Sequence, residues 1–288
     1  MKTTVAIVAM GEMGSAVGKR LVERGARVLT SLQGRSGGSS ERAARAGAEA
    51  VETDAELVSH ADFIFSIVPP SRAAEFAVRM LPHIDAAARK PVFIDCNALA
   101  PASIREIAVP FQAAQLPFVD AGIVGPTWNA RGDSPRFYAS GDAADRFSEL
   151  GHFGLDIRVL SNNVGDASAL KMTFSGITKS VRAVGAVMML GSLRNGVSQA
   201  LWEELKFREP MLLEYISTFV PKSYTKAYRW VTEMEEVAKC LEPEIGGSEI
   251  ANGAARFFAD LAEDYAKGPT SGRIGLLNEF IGKKELQK

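Results

Sequence analysis

Short apolar runs alternate with amphipathic helical patterns along the first 160 residues. The apolar runs are Val5–Val8, Val28–Ser31, Phe63–Val68, Val92–Asp95, Phe118–Asp120, Phe137–Ala139 and Ile157–Leu160. The helical patterns lie at 41–47, 72–81, 101–113 and 143–150. Buried strands that alternate with helices are typical of a mostly parallel sheet with helices on both faces. The pattern therefore predicts an α/β domain.

Helical sequence dominates after about residue 163, so we predict two domains: 1–162, and an all-helical domain over 163–288. The second domain begins with a long helix over about 166–194. Its apolar positions recur every three or four residues, which predicts a buried face. These positions are Leu170, Phe174, Ile177, Val181, Val184 and Met188, and a polar strip of Lys171, Ser175, Thr178 and Arg182 lies beside them.

A glycine-rich turn joins the first strand to the first helix. It consists of Ala9, Met10, Gly11, Glu12, Met13 and Gly14. Such a turn presents the backbone N–H groups of a helix N-terminus to a pyrophosphate, and Gly11 allows its close approach. The first glycine of the G-x-G-x-x-G pattern is replaced by Ala9, which suits the turn if φ stays negative. The turn predicts a dinucleotide site in a Rossmann-type domain.

The segment after the second strand indicates which dinucleotide is bound. NAD-binding domains usually have an acidic residue there for the ribose hydroxyls, whereas this chain has Leu32-Gln33-Gly34-Arg35-Ser36. A guanidinium pairs well with a 2′-phosphate. We therefore expect NADP rather than NAD, with Arg35 and Ser36 as ligands, although a solvated loop arginine is the alternative.

Ligands of such sheets bind at the carboxyl ends of the strands. Val68 and Pro69 follow one strand, and we expect them to contact the cofactor. Asn97 follows another strand and is a candidate for contact with the nicotinamide or the substrate. Asp120 ends a third apolar run; it is either a catalytic carboxylate or a residue that caps a loop.

Hydride transfer to or from a carbon that bears oxygen also needs a group that moves a proton. Lys171 lies in the opening turns of the long helix and is the candidate for this role. Ser175, one turn later, is a second candidate that would hydrogen-bond the lysine or the substrate. The alternatives are a solvated lysine and a serine bonded to its own helix backbone.

Composition narrows the function classes. The chain has 288 residues and a net charge of -1, which does not suggest a nucleic acid or an anionic membrane as partner. Its two cysteines make no disulfide framework and favour a reducing cytoplasm. The first strand begins so early that we expect no signal peptide, and no apolar stretch is long enough to span a bilayer. The three histidines have no zinc-site spacing, so no metal is expected.

Four segments resemble the β-hydroxyacid dehydrogenase superfamily, which includes 3-hydroxyisobutyrate and 6-phosphogluconate dehydrogenases. They are VAIVAMGEMG (5–14), FIDCNALAP (93–101), VDAGIVGP (119–126) and GDASALK (165–171). The last hundred residues look closest to the C-terminal domain of a 6-phosphogluconate-dehydrogenase-like branch. The resemblance implies an NADP-dependent enzyme that transfers hydride between nicotinamide and a small hydroxyacid or carbonyl substrate. Lys171 would be its general acid and base.

Three positions depart from the family pattern. Val124 replaces a serine, Pro126 replaces a glycine, and Ser175 replaces an asparagine. Two other functions therefore stay open. One is imine reduction on the same scaffold, which the presence of Lys171 disfavours, and the other is non-catalytic NADP binding by a sensor. The apolar content of the helical domain, including Met188–Leu190 and Met211–Leu213, also favours a homodimer through that domain.

Overall fold

The computed structural model describes residues 2–32 and 37–282. The chain forms two compact units, Met1–Met172 and Thr173–Lys288. The boundary lies ten residues after the sequence-based boundary at 162/163, inside a helix rather than before it. The reason is local, because the first turns of that helix are hydrogen-bonded to the sheet of the first unit.

The first unit contains an eight-stranded sheet with the order β3-β2-β1-β4-β5-β6-β7-β8. Only the β6–β7 pair is antiparallel, so the prediction of a mostly parallel sheet is confirmed. The strands are β1 (Thr4–Ile7), β2 (Arg27–Ser31), β3 (Glu49–Val51), β4 (Phe63–Ser66), β5 (Val92–Asp95), β6 (Phe118–Val124), β7 (Arg136–Ser140) and β8 (Asp156–Ser161). All seven apolar runs are strands, and β3 is the one that the pattern missed.

In the described parts of the first unit, six α-helices connect these strands: α1 (Glu12–Glu23), α2 (Gly37–Ala46), α3 (Asp54–His60), α4 (Ala73–Ala86), α5 (Pro101–Ala113) and α6 (Ala144–Ser148). The sequence pattern missed α3, which is only seven residues long and begins at Asp54, with Thr53 as its N-cap. The Thr53 side chain accepts a hydrogen bond from Glu56 N and so caps the helix N-terminus.

The sheet is covered on both faces, as the strand pattern predicts. One apolar cluster contains Phe65, Phe137 and Phe147 and receives α1, α2 and α6. The other contains Phe93 and Phe111 and receives α3, α4 and α5. The central strands are buried on both sides, which explains their continuous apolar sequence.

The second unit is all-helical, in agreement with the prediction. Its helices are the remainder of α7 (Asp166–Arg194), followed by α8 (Ser198–Arg208), α9 (Pro210–Phe219), α10 (Ala227–Cys240), α11 (Gly247–Lys267) and α12 (Gly272–Gly282). The rings of Trp230 on α10 and Phe258 on α11 pack edge to face at 5.1 Å. No helix in the described parts of the chain is long and apolar enough to cross a membrane.

The prediction of a buried apolar stripe on α7 is wrong. Phe174, Ile177, Val184 and Met188 are 47%, 69%, 54% and 58% exposed. Most buried positions of α7 within the second unit are small or polar, and Met189 is the one large apolar side chain among them. The small or polar positions are Ser175, Gly176, Lys179, Ala183, Ala186 and Ser192. Periodicity identifies an apolar face, but it does not say whether another part of the same chain covers that face.

Small residues on α7 allow neighbouring helices to approach closely. A Cβ added to Gly185 would lie 2.9 Å from Ile216 Cγ2, and one added to Gly176 would lie 3.1 Å from Val237 Cγ1. The buried Lys179 ammonium is paired with the Glu233 carboxylate at 2.5 Å. A buried lysine persists because it has such a partner.

Candidate cofactor and catalytic site

The glycine turn lies between β1 and α1, and Gly11 is the N-cap of α1. No side chain caps this helix, so its first N–H groups face outward without a side-chain acceptor. A Cβ placed on Gly11 would meet nothing within 4 Å. The open space before an uncapped, positively polarised helix N-terminus fits the pyrophosphate of a dinucleotide.

Gly14 has a different role in the same turn. A Cβ at this position would lie 2.1 Å from Ala9 O, so only glycine allows α1 to pack this closely on the turn. Among described residues other than glycine, only Gln115 has a positive φ. Ala9 therefore holds the turn with a negative φ, as the sequence requires.

Of the other turn residues, Met10 and Met13 pack into the apolar core, whereas Glu12 is exposed. The Met10 side chain is 1% exposed and belongs to the apolar core, so only its backbone faces the turn. Met13 packs partly buried against the same core. Glu12 is exposed in the first turn of α1.

Arg35 and Ser36, the expected ligands of a 2′-phosphate, lie outside the described residues. The structure shows another arginine that sequence reasoning missed. Arg42 on α2 donates from Nε to Met10 O at 2.7 Å and from Nη2 to Ser39 Oγ at 3.2 Å. The sequence signal was a pair of arginines, Arg42 and Arg45, on the helix that follows the NADP-like loop.

Asn97 connects the ends of β4 and β5. Its Oδ1 accepts from Val68 N at 2.7 Å, and its Nδ2 donates to Ser66 Oγ at 2.8 Å. The side chain is 5% exposed, so its amide holds the segment that leads to Pro69. Val68 is half-buried and Pro69 is exposed at the same sheet edge as the glycine turn.

Asp95 is a second residue that sequence reasoning missed. Its Oδ1 accepts from Asn97 N at 2.9 Å, while its buried Oδ2 has no hydrogen-bond partner. Burial, opposed by the hydrogen bond from Asn97 N and assisted by the Asp120 carboxylate, raises the pKa of this carboxyl to about 7. The sequence signal was an acidic residue at the end of an otherwise apolar run.

Asp120 lies beside Asp95 on the neighbouring strand and holds the beginning of α7. Its Oδ2 accepts from Gly165 N at 2.9 Å, Ser168 N at 3.0 Å and Ser140 Oγ at 3.1 Å, and its Oδ1 accepts from Ser168 Oγ at 2.7 Å. Burial raises the pKa of Asp120, and these hydrogen bonds oppose the rise. Of the two sequence-based alternatives, this geometry matches the capping carboxylate.

Lys171 lies five residues into α7 and is partly buried against β6. A Cβ on Gly122 of β6 would lie 3.0 Å from Lys171 Cβ and 2.9 Å from Ala167 O. Glycine at position 122 therefore allows α7 to lie close to the strand. The same contact places the backbone of Lys171 beside β6.

Ser175 belongs to the second unit and is 2% exposed. Its hydroxyl donates to Glu233 Oε1 at 2.8 Å, the same oxygen that pairs with Lys179. The sequence predicted either a hydrogen bond from Ser175 to Lys171 or the substrate, or one to its own helix backbone. The observed hydrogen bond to Glu233 is neither of these. The reason is that a carboxylate from α10 lies within reach of the hydroxyl.

The segment that departs from the family pattern closes β6. Val124 is the last residue of the strand and is half-buried, Gly125 has a φ of +104°, and Pro126 is exposed. Arg131 and Asp133 follow in an exposed loop, where Asn129 Nδ2 donates to Asp133 Oδ2 at 2.9 Å.

Cys96 follows Asp95 and is buried. Burial raises the pKa of its thiol well above the usual range, and the Asp95 and Asp120 carboxylates raise it further. In the described residues no three His, Cys, Asp or Glu side chains are grouped as metal ligands.

The sequence and fold of this chain are similar to those of known proteins. Residues 4–151 match the family of the NAD binding domain of 6-phosphogluconate dehydrogenase. The chain belongs to the β-hydroxyacid dehydrogenase superfamily. It is accordingly an oxidoreductase with an NAD(P)-binding domain. Residues 194–261 match a domain family of unknown function, DUF1932.

Three solved structures are similar to this superfamily member. A conserved protein of unknown function, described as structurally similar to 3-hydroxyacid dehydrogenases, is 30% identical with a TM-score of 0.70; the match covers 92% of this chain and 99% of that one. A 3-hydroxyisobutyrate dehydrogenase from Mycobacterium tuberculosis, solved with L-serine, is 19% identical with a TM-score of 0.73, covering 97% and 99%. An imine reductase from Myxococcus stipitatus, solved with NADP+, is 18% identical with a TM-score of 0.53, covering 97% and 99%. The last two likenesses concern the fold.

Proposed function

We propose that this oxidoreductase uses NADP(H) to interconvert a small hydroxyacid or other alcohol and its carbonyl form, with Lys171 as general acid and base. The observation that carries the proposal is the position of Lys171. The glycine turn follows β1, the Val68–Pro69 segment follows β4 and Asn97 follows β5, all at one edge of the sheet. Lys171 lies beside β6, the next strand along that edge.

The residues of the chain have separable tasks in this reaction. The first turn of α1, with Gly11 at its N-cap, binds the pyrophosphate, and the Asn97 amide holds the Val68–Pro69 segment beside the cofactor. Bound NADPH supplies a hydride, and the oxidised form accepts one. Lys171 donates a proton to the carbonyl oxygen when the carbon receives the hydride. In the reverse direction the neutral Lys171 amine accepts the proton of the alcohol.

The substrate of this reaction is small and carries a carbonyl or hydroxyl group. Val124 lacks the hydroxyl of the serine in the family pattern, and Pro126 lacks the backbone N–H of the glycine. A substrate carboxylate would lose two donors at these positions. We therefore propose that uncharged aldehydes and ketones are candidate substrates alongside keto acids and hydroxyacids.

The test measures cofactor binding and turnover separately. NADPH and NADH are titrated by fluorescence, and NADP(H)-linked turnover is screened against hydroxyacids, keto acids, semialdehydes and imines. Lys171→Met keeps the side-chain bulk and removes the amine. We expect cofactor affinity to stay within about twofold, and turnover to fall roughly 10²–10⁴-fold, as for the loss of a general acid or base.

Three other outcomes contradict parts of the proposal. Turnover of imines alone indicates an imine reductase. NADPH binding without turnover of any class of substrate indicates a non-catalytic NADP-binding protein. Near-normal turnover of Lys171→Met with an unchanged pH profile shows that Lys171 has a structural role.

We also propose that the protein forms a homodimer through its helical domain. Of the side chains named for it, Met188, Met211 and Leu212 are exposed, whereas Met189 and Leu213 are buried in the chain. Light scattering across a range of protein concentrations measures the oligomeric state, and a monomer at all concentrations contradicts the proposal.

A further inference from the structure

Four buried polar side chains form a row across neighbouring strands of the sheet. They are Ser66 on β4, Asp95 on β5, Asp120 on β6 and Ser140 on β7, and each is at most 1% exposed. In the register of the sheet, Ser66 pairs with Asp95, Asp95 with Asp120, and Asp120 with Ser140. Side chains paired in this way point to the same face of the sheet. We call these four residues the polar row.

The polar row lies on the face of the sheet that carries the beginning of α7. Alternate residues of a strand share a face, so Asp120 lies on the same face as Gly122. A Cβ on Gly122 would meet Lys171 Cβ and Ala167 O, both on α7. The row therefore runs beneath the opening turns of the helix that carries the proposed general acid and base.

Each end of the polar row is hydrogen-bonded to a different segment of the proposed site. At the β4 end, Asn97 Nδ2 donates to Ser66 Oγ, and Asn97 Oδ1 accepts from Val68 N. At the β7 end, Ser140 Oγ accepts from Ala167 N of α7 at 3.0 Å. The two carboxyl groups between these ends thus connect the segment expected to contact the cofactor with the beginning of α7.

These two carboxyl groups differ in the donors that they receive. Asp120 accepts four hydrogen bonds, three of them from residues 165–168. Asp95 Oδ1 accepts from Asn97 N at 2.9 Å, and the Asn97 and Ser66 side chains add weaker hydrogen bonds. In the part of the chain that the structure describes, Asp95 Oδ2 is buried and has no hydrogen-bond partner.

The difference in donors decides which carboxyl group holds a proton. Two buried carboxyl groups on neighbouring strands ionise together only at a large cost, because each charge opposes the other. The proton goes to Asp95, since a buried charged oxygen without a donor is costlier than a neutral one. The pKa of Asp95 agrees with this assignment: burial, opposed by Asn97 N and assisted by Asp120, raises it to about 7.

Asp120 carries the charge that acts on the ionisation of Asp95. The thiol of Cys96, the next residue in the chain, is neutral because burial raises its pKa well above the usual range. On α3, α4, α5 and the beginning of α7, which pack on this face, the charged or titratable side chains are exposed or half-buried. Among them are Arg79 and His83 on α4, Arg105 and Glu106 on α5, and Asp166 and Lys171 on α7.

We propose that Asp95 is a positioning residue that acts while it holds a proton. The neutral Asp95 carboxyl leaves the Asp120 carboxylate available to hold the beginning of α7, and this keeps Lys171 in place. Loss of the proton adds a second negative charge to the polar row, repels Asp120 and weakens its hold on α7. The role of Lys171 in this inference rests on the proposed function, whereas the contact between Asp95 and Asp120 does not.

The first measurement uses the intact protein without cofactor or substrate. Aspartate carboxyl groups are labelled with ¹³C, and the Asp95 resonance, assigned by its loss in Asp95→Asn, is followed from about pH 5 to pH 9. Hydrogen exchange of the Gly165 and Ser168 amides, which donate to Asp120, is measured over the same range and corrected for the intrinsic pH dependence of exchange.

We expect Asp95 to titrate at about pH 7. Protection of the Gly165 and Ser168 amides should fall about tenfold as it ionises, because the two carboxyl groups oppose each other's charge reciprocally. Asp120→Asn should make proton binding at Asp95 about tenfold weaker.

Asp95→Asn keeps an acceptor for Asn97 N and resembles the neutral acid in shape. The pH dependence of amide protection should disappear in this variant. Asp156→Asn, at a half-buried position on β8, is the matched control and should keep the protection profile of the unmodified protein.

The second measurement tests the link to Lys171 by following kcat against pH in the oxidising direction. There the neutral Lys171 amine is needed, so Lys171 makes kcat rise with pH, whereas ionisation of Asp95 makes it fall. The profile should be bell-shaped. Asp95→Asn should lose the limb at high pH, and Lys171→Met should lose the limb at low pH.

The outcomes separate this inference from the proposed function. Titration of Asp95 below about pH 5, or amide protection that does not change as Asp95 ionises, overturns the inference. A high-pH limb of kcat that persists in Asp95→Asn overturns the positioning role for Lys171. If titration and protection behave as expected but no class of substrate turns over, the proposed function fails, and the action of Asp95 on the beginning of α7 stands.

Discussion

Two hydrogen bonds join Asp120 on β6 to Ser168 on α7: Ser168 N donates to Oδ2 at 3.0 Å, and Ser168 Oγ donates to Oδ1 at 2.7 Å. A carboxylate at a helix N-terminus accepts from its unpaired N–H groups and interacts favourably with the helix dipole. Because both residues are buried, the opening turn of α7 has little freedom to shift. This turn directly precedes Lys171.

The first prediction concerns this cap. Asp120→Asn removes the charge and replaces one acceptor oxygen with a donor that faces the donors of α7. We expect a loss of about 1–3 kcal/mol in the free energy of unfolding, and a fall in kcat of about tenfold or more with little change in NADPH affinity.

Ser140→Ala is the comparison for the cap, since it removes one of the four hydrogen bonds to Asp120 and the acceptor for Ala167 N but keeps the carboxylate. Its effect on kcat should be smaller. A normal kcat in folded Asp120→Asn protein would show that Lys171 does not depend on this cap.

The second prediction concerns Gly122. Gly122→Ala places a methyl group 2.9 Å from Ala167 O and 3.0 Å from Lys171 Cβ, so α7 must move away from β6. We expect a lower melting temperature and a fall in kcat that exceeds any rise in KM. Steady-state kinetics and thermal unfolding measure both effects.

Gly151→Ala is the matched control, because a Cβ at Gly151 meets nothing within 4 Å. It should leave kcat unchanged. Equal behaviour of the two alanine variants would contradict the proposed contact between β6 and α7.

The third prediction separates the two glycines of the turn. Gly11→Val projects a branched side chain into the space before α1, where Gly11 has no neighbouring atom. Cofactor binding should be lost while the melting temperature stays close to that of the unmodified protein. Gly14→Ala should lower the melting temperature itself, because its Cβ would lie 2.1 Å from Ala9 O.

Fluorescence titration and thermal unfolding distinguish these two effects. Unchanged NADPH binding in Gly11→Val would place the phosphate site elsewhere. Normal thermal stability of Gly14→Ala would show that the turn can relax.

The fourth prediction concerns Asp95 and pH. Burial raises its pKa to about 7, whereas the unfolded chain ionises near 3.8. Between these values the folded protein binds more protons than the unfolded protein, so this group makes the fold less stable as pH rises from about 4 to 7. At about 1.4 kcal/mol per pKa unit, the effect is at most about 4 kcal/mol.

Asp95→Asn removes this dependence. Relative to the unmodified protein, its stability should rise from pH 4.5 to pH 8, as measured by denaturant unfolding. Asp156→Asn is the comparison: desolvation is outweighed by hydrogen bonds from Arg136 and Arg158, so the pKa of Asp156 is lowered and its stabilisation of the fold is lost only as pH falls below about 4. Its stability difference from the unmodified protein should therefore stay flat from pH 4.5 to pH 8. A flat difference for Asp95→Asn across this pH range would contradict the raised pKa.

Local sequence patterns were enough to predict most strands and the glycine turn. The β-branched runs predicted seven strands, and Ala9–Gly14 predicted the turn between β1 and α1, because strand propensity, glycine geometry and helix entry act over a few neighbouring residues. β3 and α3 were too short for their patterns to be recognised. The sequence also made Lys171 the candidate for proton transfer, through its place in the opening turns of α7, and this stays a prediction.

Tertiary structure decided the partners of each polar side chain. Ser175 faces Glu233, and Asp120 holds Gly165 and Ser168, because residues distant in the chain meet there. It also decided which face of α7 is buried: the apolar stripe that includes Phe174 and Ile177 is exposed, and small residues face the neighbouring helices. Periodicity depends on the helix alone, whereas burial depends on what packs against it.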